Sequence, residues 1–105
     1  MKKILAIISL FFGMNAGAQT VKIVSSGTKT GMRGLSVVDD KTIWVSGSGG
    51  KIGRSLDGGE NWKWFTVKGF EKMDFRDIEG FNATTAVIMG IDAPAYILKT
   101  IDGGE

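Results

Sequence analysis

Two stretches of this chain repeat one another at a distance of 43 to 45 residues, and few architectures accept such a repeat. Residues 33–47 open on Arg33 and close on Gly47, and residues 76–90 open on Arg76 and close on Gly90, 43 positions later. Identities are few, but the order is shared: an arginine, a short alternating strand, a polar turn, a second β-rich strand led by threonine, then glycine. Further on, Ile52-Gly53-Arg54-Ser55-Leu56-Asp57-Gly58-Gly59-Glu60 matches Ile97-Leu98-Lys99-Thr100-Ile101-Asp102-Gly103-Gly104-Glu105 at an offset of 45. The offset grows because the loop at 48–51 is shorter than the one at 91–96. Loops absorb insertions that strands do not. A period near 43 with several short strands per unit is the signature of propeller blades.

Each unit reads as a four-stranded antiparallel meander. In the first, strands are expected at 35–38, 42–46, 51–55 and 61–67. The second supplies 77–81, 85–90 and 96–100. Ahead of both, residues 21–24 (Val-Lys-Ile-Val) read as one more strand, suited to the outer position of a blade completed from elsewhere. No helical period stands out after the first 18 residues. The fold class is therefore all-β, about two blades of a propeller of about seven. The expected organisation is 1–18 leader, 19–32 N-terminal strand segment, 33–75 blade, and 76–105 second blade. Blades bury their faces against neighbours. Two alone leave two apolar faces bare, so the sequence reads as the opening part of a longer protein.

The leader sets the compartment. Met1-Lys2-Lys3 is a charged head, residues 4–14 are almost unbroken apolar, and Ala16-Gly17-Ala18 gives the small-residue pattern before Gln19. These are the parts of a secretory signal peptide. The apolar run is shorter than the ~20 residues of a bilayer span, so no membrane span is expected after cleavage. Without Lys2 and Lys3 the remaining 87 residues carry 11 basic and 11 acidic side chains. A neutral chain gives no electrostatic reason to bind nucleic acid. The chain has no Cys and no His. That removes disulfides, thiol nucleophiles, imidazole acid/base chemistry and histidine-bound zinc from these residues. No cofactor or metal is expected, and the location is periplasmic or extracellular.

Ser55-Leu56-Asp57-Gly58-Gly59-Glu60-Asn61-Trp62 fits S-x-D-x-G-x-x-W. Physically this is a tight turn between strands: Asp57 accepts backbone N–H groups, Ser55 braces the loop, and Gly59 supplies positive φ. Trp62 is expected to lie over the hairpin. Thr100, Asp102 and Gly104 begin a second copy in register with the blade period. The motif resembles the Asp-box of the BNR (bacterial neuraminidase) repeat, although Asn61 stands where that family prefers threonine. With Ser25-Ser26-Gly27-Thr28, Arg33 through Val37, Trp44 through Gly47 and Asp74 through Ile78, the chain resembles exported bacterial propellers related to the photosystem II stability/assembly factor. The resemblance implies a non-catalytic propeller that binds or helps assemble protein partners. It also places the Asp-box residues at the periphery, in a structural role.

Arg33 and Arg76 are the binding candidates. Equivalent positions ahead of each inner strand would set them near the mouth of a central channel. Guanidinium groups there suit the carboxylates of a peptide, an acidic one above all, or of a sugar. The competing account is a salt bridge between blades, with Asp74 or Asp77 as the local acid. Trp44 and Trp64 read as blade packing, and Tyr96 as a strand residue between surface and core. No catalytic residue is assigned. A sialidase-like glycoside hydrolase is the alternative, but its arginine triad and Tyr/Glu pair are not assembled here. The glycine-rich run 47–53 lacks phosphate-loop spacing and reads as an interstrand loop. Asn82-Ala83-Thr84 and Asp39-Asp40 read as hairpin turns rather than glycan or calcium sites.

Overall fold

The computed structural model describes residues 20–25 and 28–105. The leader, and Ser26 and Gly27 of the resemblance, lie outside the described residues. Among the described residues seven strands are formed: β1 (Met32–Val37), β2 (Ile43–Gly47), β3 (Lys51–Ser55), β4 (Lys63–Thr66), β5 (Phe75–Gly80), β6 (Ala86–Gly90) and β7 (Tyr96–Thr100). They make one four-stranded sheet, β1-β2-β3-β4, and one three-stranded sheet, β5-β6-β7, with every neighbouring pair antiparallel. There is no helix among the described residues. The chain is all-β and forms two partial propeller blades.

Short polar side chains set the register of the meanders. Asp39 Oδ1 accepts the amides of Lys41 and Thr42 at 2.8 and 2.7 Å, closing the β1–β2 turn. Asn82 Oδ1 repeats this 43 residues later, accepting from Thr84 and Thr85 at 2.8 and 2.9 Å. An Asx turn of this kind offers the backbone a local partner where the ladder stops. A one-residue slip would turn every core side chain outward, so the paired turns fix which face each blade buries.

The blades meet through alternating residues. Ser36, Trp44, Ser46, Ile52, Arg54 and Phe65 share the face of the first sheet turned toward the second, and Phe75, Ile78, Ile88 and Leu98 face back. Trp44 and Phe75 are fully buried, and Trp44 Nε1 donates to the Asn82 carbonyl at 3.0 Å. Where the inner strands come closest, a Cβ on Gly34 would lie 3.1 Å from Asp77 Cα, so no larger residue fits. Two serines then stitch the sheets: Ser46 Oγ donates to the Phe75 carbonyl at 2.9 Å, and the Gly80 amide donates to Ser36 Oγ at 2.9 Å.

Strand bounds differ from the sequence reading by one residue at β2 and β6, and by more elsewhere. The inner strands start earlier, at Met32 and Phe75, because each ladder continues past a register break after its first residue. β4 is shorter than 61–67, because Asn61 and Trp62 are taken up by the turn before it. Residues 21–24 form no strand among the described residues. The segment is held instead by side chains. Trp62 Nε1 donates to the Val24 carbonyl at 2.8 Å, and Lys22 pairs with Glu60.

Candidate functional site

The register breaks carry the two arginines. Arg33 lies between Met32, paired with Gly47, and Gly34, paired with Ser46. Arg76 lies between Phe75, paired with Gly90, and Asp77, paired with Met89. Each arginine is thus the extra residue of a β-bulge, the device that re-aims one side chain out of the pleat. They sit inside the inner strands, not ahead of them as the sequence suggested. Alternation alone does not reveal a bulge, because the extra residue imitates one more loop position.

Both side chains turn to one carboxylate. Arg33 Nε lies 3.3 Å from Asp74 Oδ1, and Arg76 Nε lies 3.9 Å from Asp74 Oδ2. Both guanidiniums are about half exposed, and Asp74 less so. Two positive groups on one acid leave a net charge of +1. Among the described residues no acceptor takes the Nη groups of either arginine. Asp77, the other candidate acid, uses Oδ1 to accept its neighbour Ile78's amide at 2.9 Å. The arrangement can receive an anionic group with four N–H-bearing nitrogens that the protein leaves unused, and Arg forks match carboxylates two bonds at a time.

The hairpin-turn residues are brought together separately, at the far end of β3. Ser55 Oγ donates to Asp57 Oδ1 at 2.9 Å and accepts the Gly59 amide at 2.8 Å. Asp57 also accepts from the backbone amide and the side-chain amide of Asn61, each at 2.8 Å. These bonds to Asn61, the backbone one foremost, hold the Asp57 carboxyl below the usual carboxylate range. Gly59 sits at φ +98° and Gly104 at +92°, a region that penalises any side chain. Trp62 Nε1 donates to the Gly59 carbonyl at 3.0 Å. In the second turn Thr100 Oγ1 donates to Asp102 at 2.7 Å and accepts the Gly104 amide at 3.0 Å. The Thr100 hydroxyl is the main cause that lowers the Asp102 carboxyl. The Ser55 and Thr100 hydroxyls and the Asp57 and Asp102 carboxylates are engaged within their own turns, which suits bracing rather than binding.

Two features were not read from the sequence. Arg54 crosses between the blades: Nη1 donates to the Ala83 carbonyl at 2.8 Å, and the guanidinium carbon lies 5.6 Å from the Trp44 ring and 5.9 Å from that of Phe65. A side chain on Gly103 would strike it. The available signal was its alternation with Ile52 on the buried face of β3. The second is an apolar cleft of about 550 Å³ between the outer parts of the sheets, lined by Ile52, Phe65, Ile88 and Leu98 among others. Trp44 is buried as a packing residue, Trp64 lies over Gly53 and stacks on Trp62 at 5.8 Å, and Tyr96 meets Phe70 edge-on at 5.0 Å.

The sequence matches no family model, and no curated protein matches it. Among solved structures, YCF48 bound to D1 peptide is similar over 74% of this chain, at 25% sequence identity and a TM-score of 0.61. The chain spans only 25% of that structure's chain. The likeness agrees with partial propeller blades.

Proposed function

We propose that these blades belong to an exported, non-catalytic propeller of the BNR/Asp-box type, and that it binds protein or peptide partners through the Arg33–Asp74–Arg76 cluster. The observation that carries the reading is the convergence of two bulge arginines, from equivalent positions of adjacent blades, on a single shared acid. Such a cluster attracts a carboxylate, which a peptide offers at its C-terminus and on Asp or Glu. The similarity to a structure bound to a peptide supports the same class of partner, and the Ser55–Asp57 and Thr100–Asp102 turns support the family assignment. The N-terminal leader supports export to the periplasm or beyond.

The test is titration of fluorescent peptides against the chain, comparing free C-terminal carboxylates with amidated ones and acidic sequences with neutral ones. Free or acidic peptides are expected to bind at least several-fold tighter, with affinity falling as salt rises. The double substitution Arg33→Ala with Arg76→Ala is expected to abolish that preference while leaving the thermal midpoint within a few degrees. Equal binding of all four peptide types, or an unchanged preference in the double variant, refutes the proposal.

A further inference from the structure

The acid that both arginines share is held from two sides by the fold. Asp74 ends the connection from β4 to β5, which is closed by a run of local bonds. The Phe70 amide donates to the Val67 carbonyl at 3.0 Å, and the Met73 amide to the Phe70 carbonyl at 2.9 Å. Gly50, in the loop before β3, ties this connection to the first blade. Its amide donates to the Met73 carbonyl at 2.8 Å, and its carbonyl accepts the Val67 amide at 2.9 Å. A Cβ on Gly50 would strike the Phe70 carbonyl, so the two backbones meet with no room to spare. On the other side Met73 lies over Gly90 of the second blade. The Asp74 side chain is 24% exposed, against 44% and 52% for Arg33 and Arg76. It meets both guanidiniums at Nε, and among the described residues their Nη groups have no acceptor.

We propose, building on the carboxylate-binding role of the cluster, that Asp74 is its specificity-determining residue and selects a singly charged carboxylate over a doubly charged phosphate monoester. Arginine forks alone do not make that choice, since their geometry matches phosphate as well as carboxylate. Charge makes it. The position equivalent to Asp74 in the first unit is Gly31, so two arginines share one acid and the cluster carries +1. With an acid for each arginine it would be neutral, and with none it would favour a dianion. A carboxylate brings +1 to zero, whereas a phosphoserine overshoots to −1 beside an acid fixed in place. A unit charge about 5 Å away in water-like surroundings changes affinity about fourfold for each charge on the ligand. Asp74 therefore weakens a dianion about sixteenfold and a carboxylate about fourfold, a net discrimination of about fourfold. By occupying the Nε side of both guanidiniums it also leaves the Nη groups as the side a ligand meets.

The test titrates three fluorescent, C-terminally amidated peptides against the chain, alike except for Glu, phosphoserine or Gln at one central position. Work at about pH 8 keeps phosphoserine a full dianion, and low salt keeps screening weak. The wild-type chain is expected to bind the Glu peptide several-fold tighter than the Gln peptide, and at least as tightly as the phosphoserine peptide. Asp74→Asn keeps the side chain's shape and an acceptor for Arg33 but removes the charge. It is expected to shift the phosphoserine-to-Glu affinity ratio at least about fourfold toward phosphoserine. Native tryptophan fluorescence checks the fold; should Asp74→Asn lose it, Asp74→Ser takes its place with the same expectation, and the wild-type order stands as a test by itself. Tighter binding of phosphoserine than of Glu by the wild type, or an unchanged ratio in the Asp74 variant, overturns the selection and leaves the Glu-over-Gln preference standing. A wild-type chain with no preference for Glu over Gln overturns both the selection and the carboxylate-binding role beneath it.

Discussion

Removing the Trp44 side chain should nearly undo the joint between the blades. A tryptophan buries up to about 250 Å². At about 25 cal/mol per Å², full burial contributes roughly 6 kcal/mol, an upper figure because unfolded chains already hide part of that area. Trimming it by about a quarter and crediting alanine with about one methyl group leaves roughly 4 kcal/mol. That lies inside the ~3–5 kcal/mol found for such truncations in cores. Trp44 Nε1 also satisfies the Asn82 carbonyl at 3.0 Å. Trp44→Phe, which keeps most of the apolar bulk, isolates that bond together with a small cavity, and we expect about 1–2 kcal/mol. A domain of this size holds on the order of 4–12 kcal/mol in total. Trp44→Ala therefore leaves a fold close to its threshold. Urea titration followed by circular dichroism measures both variants, and unchanged m values keep the comparison two-state. A loss below about 1.5 kcal/mol for Trp44→Ala would refute the reasoning, since it would mean the sheets are joined elsewhere.

The turns give a pH prediction. Asp57 and Asp102 have carboxyl pKa values lowered in the folded state, so their stabilising effect is fully present above the unfolded value near 3.9 and fades as pH falls through the folded value. The thermal midpoint is expected to drop on acidification below about pH 4, and Asp57→Asn should start lower at neutral pH and drop less steeply; a parallel shift would contradict the assignment. Ser46→Ala leaves the buried Phe75 carbonyl without its donor and should cost about 1–3 kcal/mol in urea unfolding. A neutral effect would show that another donor reaches that carbonyl.

How far the sequence reached depends on what kind of information each feature carries. The strands at Lys51–Ser55 and Tyr96–Thr100 were read with their observed bounds, because alternation, a glycine-rich loop before one and the turn motif after both delimit them locally. The polar turns were legible for the same reason: Asp39 and Asn82 act on amides two and three residues away. What depended on a partner distant in sequence was not legible. Residues 21–24 have strong β propensity yet form no ladder, since propensity records fit to a pleated surface and not whether a surface is there. Arg54 looked like any charged strand residue, and only the neighbouring blade makes it a bridge. The bulges were invisible too, and they matter most, because they decide where the arginines point.

The arginine cluster is poorly explained as a stabilising device, and the repeat shows why. The position equivalent to Asp74 in the first unit is Gly31, so the first blade supplies no acid of its own. Arg33 must borrow Asp74 across the blade boundary, at 3.3 Å, and Arg76 reaches the same carboxylate only at 3.9 Å. Exposed pairs of this geometry contribute about 0–1 kcal/mol, because water screens the attraction and ordering two long side chains costs entropy. A second arginine on an acid already engaged gains less still and repels the first. If holding the blades together were the purpose, the interblade serine bonds and Trp44 already do so, and a neutral side chain at position 76 would serve as well. The bulges instead spend ladder hydrogen bonds to bring two cations to one spot where their charge is half compensated. An anion from outside offsets the remaining charge without competing for Asp74, since it can use the unclaimed Nη groups. The proposed binding role is the one that gives both arginines, rather than one, a physical reason to be there.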